Sequence, residues 1–181
     1  MSPHVCPWWG GYFIDNRFRR LLHKPEVILA DHVRPGMTAM DVGCGMGFFS
    51  IPMARLVGTQ GRVISVDLQR KMLDVLTRRA QAAGVLDRIT THCCEAESIG
   101  VTESVDFALA FYSAHEVPAQ RRLLDDVYGC LQPGGHFLVV EPIGHVRASE
   151  FEKMLEFSRD VGFELESQPR VRMSHTALLA K

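Results

Sequence analysis

No run of eighteen apolar residues occurs anywhere in this chain, and its first residues lack the apolar core of a secretion signal. A membrane-spanning helix is therefore not expected, nor a membrane partner, and the expected location is the cytoplasm. Charge of one sign is missing too. With a net charge of −1 and a pI near 6.7, the chain offers no basic footprint for phosphates, so nucleic acid is not an expected partner. Arg17, Arg19 and Arg20 form the one short basic run, while Arg78–Arg79 and Arg121–Arg122 are separate pairs on helix faces, all read as solvated surface. The five cysteines are odd in number and come without an export signal, which argues for reduced thiols and against a disulfide framework. Cys93 and Cys94 are neighbours on an expected strand and point to opposite faces, so no metal site is expected. Repeats, linkers and low-complexity stretches are also lacking. What remains, 181 residues of which 46% are hydrophobic, suffices for one substantial core and is too short for two full domains.

The most informative feature present is Asp41-Val42-Gly43-Cys44-Gly45-Met46-Gly47. Residues 37–42 alternate and carry little charge, and Phe48, Ile51, Ala54, Leu56 and Val57 recur at roughly helical spacing, so the glycines stand where a strand passes into a helix. A side chain at Gly43, Gly45 or Gly47 would clash with a ligand or forbid the positive φ such a turn needs. The spacing is G-x-G-x-G, Phe48 occupies the place of the third small residue of a dinucleotide motif, and Asp41 lies two residues before the first glycine. An acid there repels a pyrophosphate and suits a ligand with a cationic amino group. The turn thus fits a nucleoside carrying an amino acid better than it fits NAD.

Other acids recur at strand ends. Residues 62–67 form a short apolar strand closing on Asp67, about twenty residues past the last glycine, where a carboxylate would take two ribose hydroxyls. Asp67 is also placed to cap a helix starting near Gln69. A third strand at 89–94 runs into Glu95-Ala96, and a fourth at 105–111 runs into Tyr112-Ser113-Ala114-His115-Glu116-Val117. In open parallel sheets, ligands collect at these ends.

Taken in order, Asp41 to Gly47, Asp67, Glu95-Ala96, the block 106–117 and Leu131-Gln132-Pro133-Gly134-Gly135 before a strand at 136–140 resemble the class I S-adenosylmethionine-dependent methyltransferases over residues 36–142. The resemblance implies an α/β fold, a Rossmann-like, doubly wound, seven-stranded and mostly parallel sheet with one antiparallel strand and helices on both faces. It implies S-adenosyl-L-methionine as cofactor and S-adenosyl-L-homocysteine as product. Carried over, Asp41 with the Gly43, Cys44, Gly45 and Gly47 turn would hold the methionine part and Asp67 the ribose. Leu68 and Met72 would flank the adenine, Glu95 and the Ala96 amide would meet its edge, and Phe111 would line the same site. Glu95 departs from the family, which often has Asp there.

Residues 1–35 are expected to be a short helical and aromatic cap on a methyltransferase domain at 36–181, with helices at 16–22 and 25–33. Trp8, Trp9 and Tyr12 make a dense aromatic patch that would either pack as a staple over the core or lie over the methyl acceptor. A helix at 149–161 and a closing hairpin are expected after Pro142. With no large insertion there, the acceptor pocket must come from the N-terminal segment and the loops after strands four and five. His115 is the best candidate for a general base, because an unperturbed histidine titrates near neutrality; its alternative is a structural loop cap. Tyr112 would orient the acceptor or the sulfonium, and Glu141 is a further candidate substrate contact, as are His4 and His145. The acceptor is expected to be a small molecule of unidentified kind, with the chain a monomer or homodimer. A thiol or metalloid methyltransferase using Cys6 and Cys44, and a binding module without catalysis, remain alternatives.

Overall fold

The computed structural model describes residues 23–181. Trp8, Trp9, Tyr12, Cys6, His4 and the helix expected at 16–22 lie outside the described residues. Seven strands form one sheet: β1 (Thr38–Val42), β2 (Arg62–Asp67), β3 (Ile89–Cys93), β4 (Val105–Phe111), β5 (Leu131–Pro142), β6 (Glu164–Ser167) and β7 (Ser174–Ala180), in the order β3-β2-β1-β4-β5-β7-β6. Pairing is parallel from β3 to β5, and β7 runs antiparallel to both β5 and β6. The expected doubly wound sheet with one antiparallel strand is what the chain forms.

The expected alternation in β1 does not produce one wet face, since four of its five residues are buried. Successive residues enter two separate cores instead. Met40, Ile64, Ala108, Phe137 and Val139 pack on one face of the sheet, and Ala39, Val63, Phe107, Leu109 and Leu138 on the other. A parallel sheet joined by crossover helices is covered on both sides, so its strands are apolar throughout. On one side lie α2 (Ser50–Val57) and α3 (Arg70–Ala82), the latter burying Leu73, Leu76 and Ala80. On the other lie α4 (Gln120–Cys130) and α5 (Ala148–Val161), which Gly162 ends in the left-handed conformation while donating to the Ser158 and Arg159 carbonyls.

Other boundaries differ by a few residues. α1 covers only Pro25–Leu29 of the expected 25–33, and its Leu29, together with Val33, packs into the core beside α2. β3 stops at Cys93. β5 starts at Leu131, not at 136, and its glycine pair is tied to the chain end: Gly134 N–H donates to the Lys181 carbonyl and Lys181 N–H to the Gly135 carbonyl.

Candidate active site

β1 has β2 on one side and β4 on the other, so the strand order reverses beside it and the loops there separate. A cleft of about 1430 Å³ opens at these carboxyl ends. It exceeds a single ligand pocket of roughly 300–1,000 Å³ and leaves room for two small molecules. Its walls bring together Asp41, Gly43, Cys44, Gly45, Asp67, Leu68, Met72, Glu95, Ala96, Phe111, Tyr112 and His115 from four successive strand ends. Those residues span 75 positions of sequence, from 41 to 115.

The glycine turn is held by main chain. Gly43 and Cys44 N–H both donate to the Val66 carbonyl, at 2.8 and 2.9 Å, which pins the turn to β2. The three glycines then serve different ends. A Cβ on Gly43 would sit 2.3 Å from the Ser113 Cβ, and one on Gly47 would sit 2.2 Å from a Leu76 methyl. Gly47 does not line the cleft, and its constraint is packing against α3 together with the positive φ expected of the turn, here +89°. Only Gly45 faces open space, and its φ of +53° is the conformation glycine holds without strain.

Asp67 works as the joint of this half. Its Oδ2 accepts the Gly45 N–H at 2.9 Å and its Oδ1 the Gln69 N–H at 2.8 Å, so one carboxylate anchors both the glycine turn and the start of α3. Burial pushes its pKa up against these two hydrogen bonds, which lower it. Each oxygen has a second lone pair, leaving capacity for a pair of hydroxyls. Asp41 is buried, and Ser50, the first residue of α2, donates its hydroxyl to Asp41 Oδ2 at 2.6 Å. Met72 is buried and Leu68 exposed, both on the cleft wall. Glu95 and Ala96 lie in an exposed turn closed by Glu95 N–H donating to the Ser98 carbonyl.

Beyond β4 the wall is made of side chains. The Ser113 hydroxyl donates to the Val42 carbonyl at 2.7 Å and stitches the loop after β4 to β1. Tyr112 has φ +61°, a strained backbone for a bulky residue. Its hydroxyl is bonded to Ser174 Oγ at 2.8 Å and His23 Nε2 at 3.2 Å, which fixes the ring on the cleft wall. His115 sits in a single 3-10 turn, Ala114–Glu116, where its N–H donates to Glu141 Oε1 at 3.2 Å and its ring Nδ1 meets Glu141 Oε2. The Glu141 hydrogen bond raises the His115 pKa; partial burial opposes this, and the Glu141 and Glu116 charges add to it. Glu141, expected as a substrate contact, is 3% exposed and lies behind the residues that line the cleft. Val117, Pro118, Leu123, Val146 and Phe157 complete an apolar wall, of which the sequence marked only Val117.

Burial raises the Cys44 thiol well above its ordinary value, with Asp41 and Asp67 adding to it, and Cys94 is pushed up to about 11. Among the described residues no group of three or more His, Cys, Asp or Glu could hold a metal ion, and no helix is long and apolar enough to cross a membrane.

Residues 39–135, more than half of the chain, match the family model described as a methyltransferase domain. The chain belongs to that family. This methyltransferase is of the class I type, and its cofactor is S-adenosylmethionine. It is 32% identical over 117 residues to a demethylmenaquinone methyltransferase of Symbiobacterium thermophilum, covering 64% of this chain and 47% of the relative. It is likewise 32% identical over 114 residues to the ubiquinone/menaquinone biosynthesis C-methyltransferase UbiE of Brucella canis, covering 62% and 42%. The methyltransferase thus spans about half the length of the curated relatives it matches. A solved S-adenosylmethionine-dependent methyltransferase from Aquifex aeolicus shares the fold over 97% of this chain and 98% of its own, at a TM-score of 0.86 and 21% identity. The residues around the glycine turn fit the cofactor on their own chemistry: Asp41 is an acid that suits a cationic amino group, Asp67 keeps lone pairs for hydroxyls, and the space above Gly45 is open.

Proposed function

We propose that this chain transfers the methyl group of S-adenosylmethionine to a small molecule of hydroxyaromatic type. The observation that carries this reading is the single cleft that has the glycine turn at one end and the His115–Glu141 pair at the other. In the proposed complex Asp41 and the Gly43–Gly45 main chain hold the methionine part, Asp67 the ribose hydroxyls, Leu68 and Met72 the faces of the adenine, and Glu95 with Ala96 its edge. Phe111 closes the wall behind them. The bound cofactor supplies an electrophilic methyl group on sulfur.

The chain's own part is positioning, which can supply about 7–11 kcal/mol when two reactants are held in line and in contact. The apolar wall of Val117, Leu123, Val146 and Phe157 suits a flat, uncharged ring. His115 stands at that wall as the general base for a hydroxyl. The names of the two relatives, a demethylmenaquinone methyltransferase and a quinone-biosynthesis C-methyltransferase, favour a flat ring as acceptor. The thiol or metalloid reading is weaker, because the raised Cys44 pKa disfavours a thiolate and Cys6 lies outside the described residues.

Incubation with methyl-labelled S-adenosylmethionine and a panel of phenols, naphthalenediols, amines, thiols and arsenite tests this. Label is expected on hydroxyaromatics. Label on thiols or arsenite alone would overturn the acceptor class, and none on any acceptor by a protein that binds S-adenosylhomocysteine would favour a binding module.

A further inference from the structure

Glu141 is a buried charge set behind the cleft. It follows the apolar run Phe137 to Val140 in β5, all of which is buried, and it faces His175 across the β5–β7 ladder. A buried carboxylate is costly unless it is paired, and here both oxygens are directed at one residue, to the main-chain N–H and the ring of His115. A carboxylate only accepts, so Nδ1 of His115 carries the hydrogen and Nε2 is left as the basic nitrogen. His115 is one-quarter exposed and lines the cleft, whereas Glu141 does not.

Resting on the methyl transfer proposed above, we infer that Glu141 is the positioning residue that holds His115 with Nε2 as the base, and that it thereby selects acceptors whose reacting group must lose a proton. The acceptor's proton passes to Nε2, and the electron pair left behind supplies the new bond to the methyl carbon. The pair of the broken carbon–sulfur bond stays on sulfur. The imidazolium formed is balanced by Glu141 at Nδ1, so no uncompensated charge is buried. Thioethers and tertiary amines, which have no proton to lose, gain nothing from such a pair.

Among the described residues few other charged or titratable groups lie near the His115 ring. Glu116 neighbours it on its own turn, His145 stacks on it at 6.2 Å between ring centroids, and Glu150 and Lys153 of α5 line the same cleft. Glu116 and Glu150 are acids and Lys153 opposes them, which leaves Glu141 as the charge in direct contact.

The test follows the His115 ring protons by NMR in the ligand-free protein, for the wild type and for Glu141→Gln, with S-adenosylhomocysteine titration as the control for folding. The wild-type ring is expected to titrate above the ordinary histidine value and the variant to fall back toward it, with cofactor affinity changed by less than about twofold. With 1,4-naphthalenediol as acceptor, the rising limb of the pH–rate profile is expected to move with the ring, and turnover to fall by roughly tenfold, less than the hundredfold or more that losing the base itself would cost. Glu141→Asp, which keeps the charge, is expected to lie between the two, and it decides the matter if Glu141→Gln fails to bind S-adenosylhomocysteine. An unchanged His115 titration in the folded variants would overturn the role of Glu141 while leaving methyl transfer standing. Absence of cofactor binding by the wild type would strike the underlying reading instead, and the NMR titration would still judge Glu141.

Discussion

Around β1 and β2 the cleft is bounded by main chain, with Gly43, Cys44, Gly45 and Gln69 amides fixed to Val66 and Asp67. Around β4 and β5 it is bounded by side chains that meet from far apart in sequence: Ser113 with Val42, His115 with Glu141, Tyr112 with His23 and Ser174. The contrast matches what each half must recognise. In the proposed complex the cofactor is met by backbone and a few acids whose spacing the fold dictates, and the acceptor by side chains that can change without disturbing the sheet.

The most severe way to break this division is at the glycines. Gly43→Ala and Gly47→Ala each force a methyl group into Ser113 or Leu76 at a positive φ, and are expected to cost roughly 2–5 kcal/mol in chemical denaturation, from overpacking and backbone strain together. Gly45→Ala has open space at its Cβ and is expected to remain folded yet bind S-adenosylhomocysteine more weakly. Equal destabilisation at all three would contradict the separate roles assigned to them.

A cleaner separation comes from His115→Ala. Methyl transfer is expected to drop by about a hundredfold, the scale of a lost general base, with cofactor affinity unchanged within about twofold in calorimetry. Asp67→Asn, in the other half, is expected to do the reverse first, weakening S-adenosylhomocysteine by about tenfold, since a charge-assisted acceptor for hydroxyls is replaced by a neutral one. Weakening by His115→Ala as large as that by Asp67→Asn would mean the halves are not separable.

The smallest effect is on stability against pH. Because the folded protein raises the His115 pKa, the His115–Glu141 pair stabilises the fold fully below the ordinary histidine value of about 6.5 and loses that contribution as pH rises through the raised value. The stability difference between wild type and Glu141→Gln is therefore expected to shrink from pH 6 to pH 9 in denaturant titrations. A difference constant over that range would deny the ion pair.

The same division governs what the sequence made legible. Asp41, the glycine turn and Asp67 lie within one strand–turn–helix–strand stretch, and local spacing was enough to place them on one cleft. The fold class followed from the apolar strands and the acids that end them. Ser50 was missed, although its place at the start of α2 within a turn of the glycines was a usable signal for a partner to Asp41. Glu141 was read as facing the substrate, because nothing local reveals that an acid at the end of β5 turns toward a loop 26 residues earlier. The same holds for Tyr112, whose hydroxyl bonds to Ser174 at a separation of 62 residues. At Gly47 the positive φ was legible from the turn, whereas the crowding by a side chain of α3 shows only once that helix is docked.

The central claim is that the end of β1 and β2 binds the cofactor independently of the end of β4 and β5. Calorimetric titration of S-adenosylhomocysteine into the wild type, Asp67→Asn and His115→Ala, with NAD as control, tests it most directly. The wild type and His115→Ala are expected to bind alike, Asp67→Asn about tenfold more weakly, and NAD not at all. Binding of NAD, or a cofactor site that survives Asp67→Asn and is lost in His115→Ala, would contradict it.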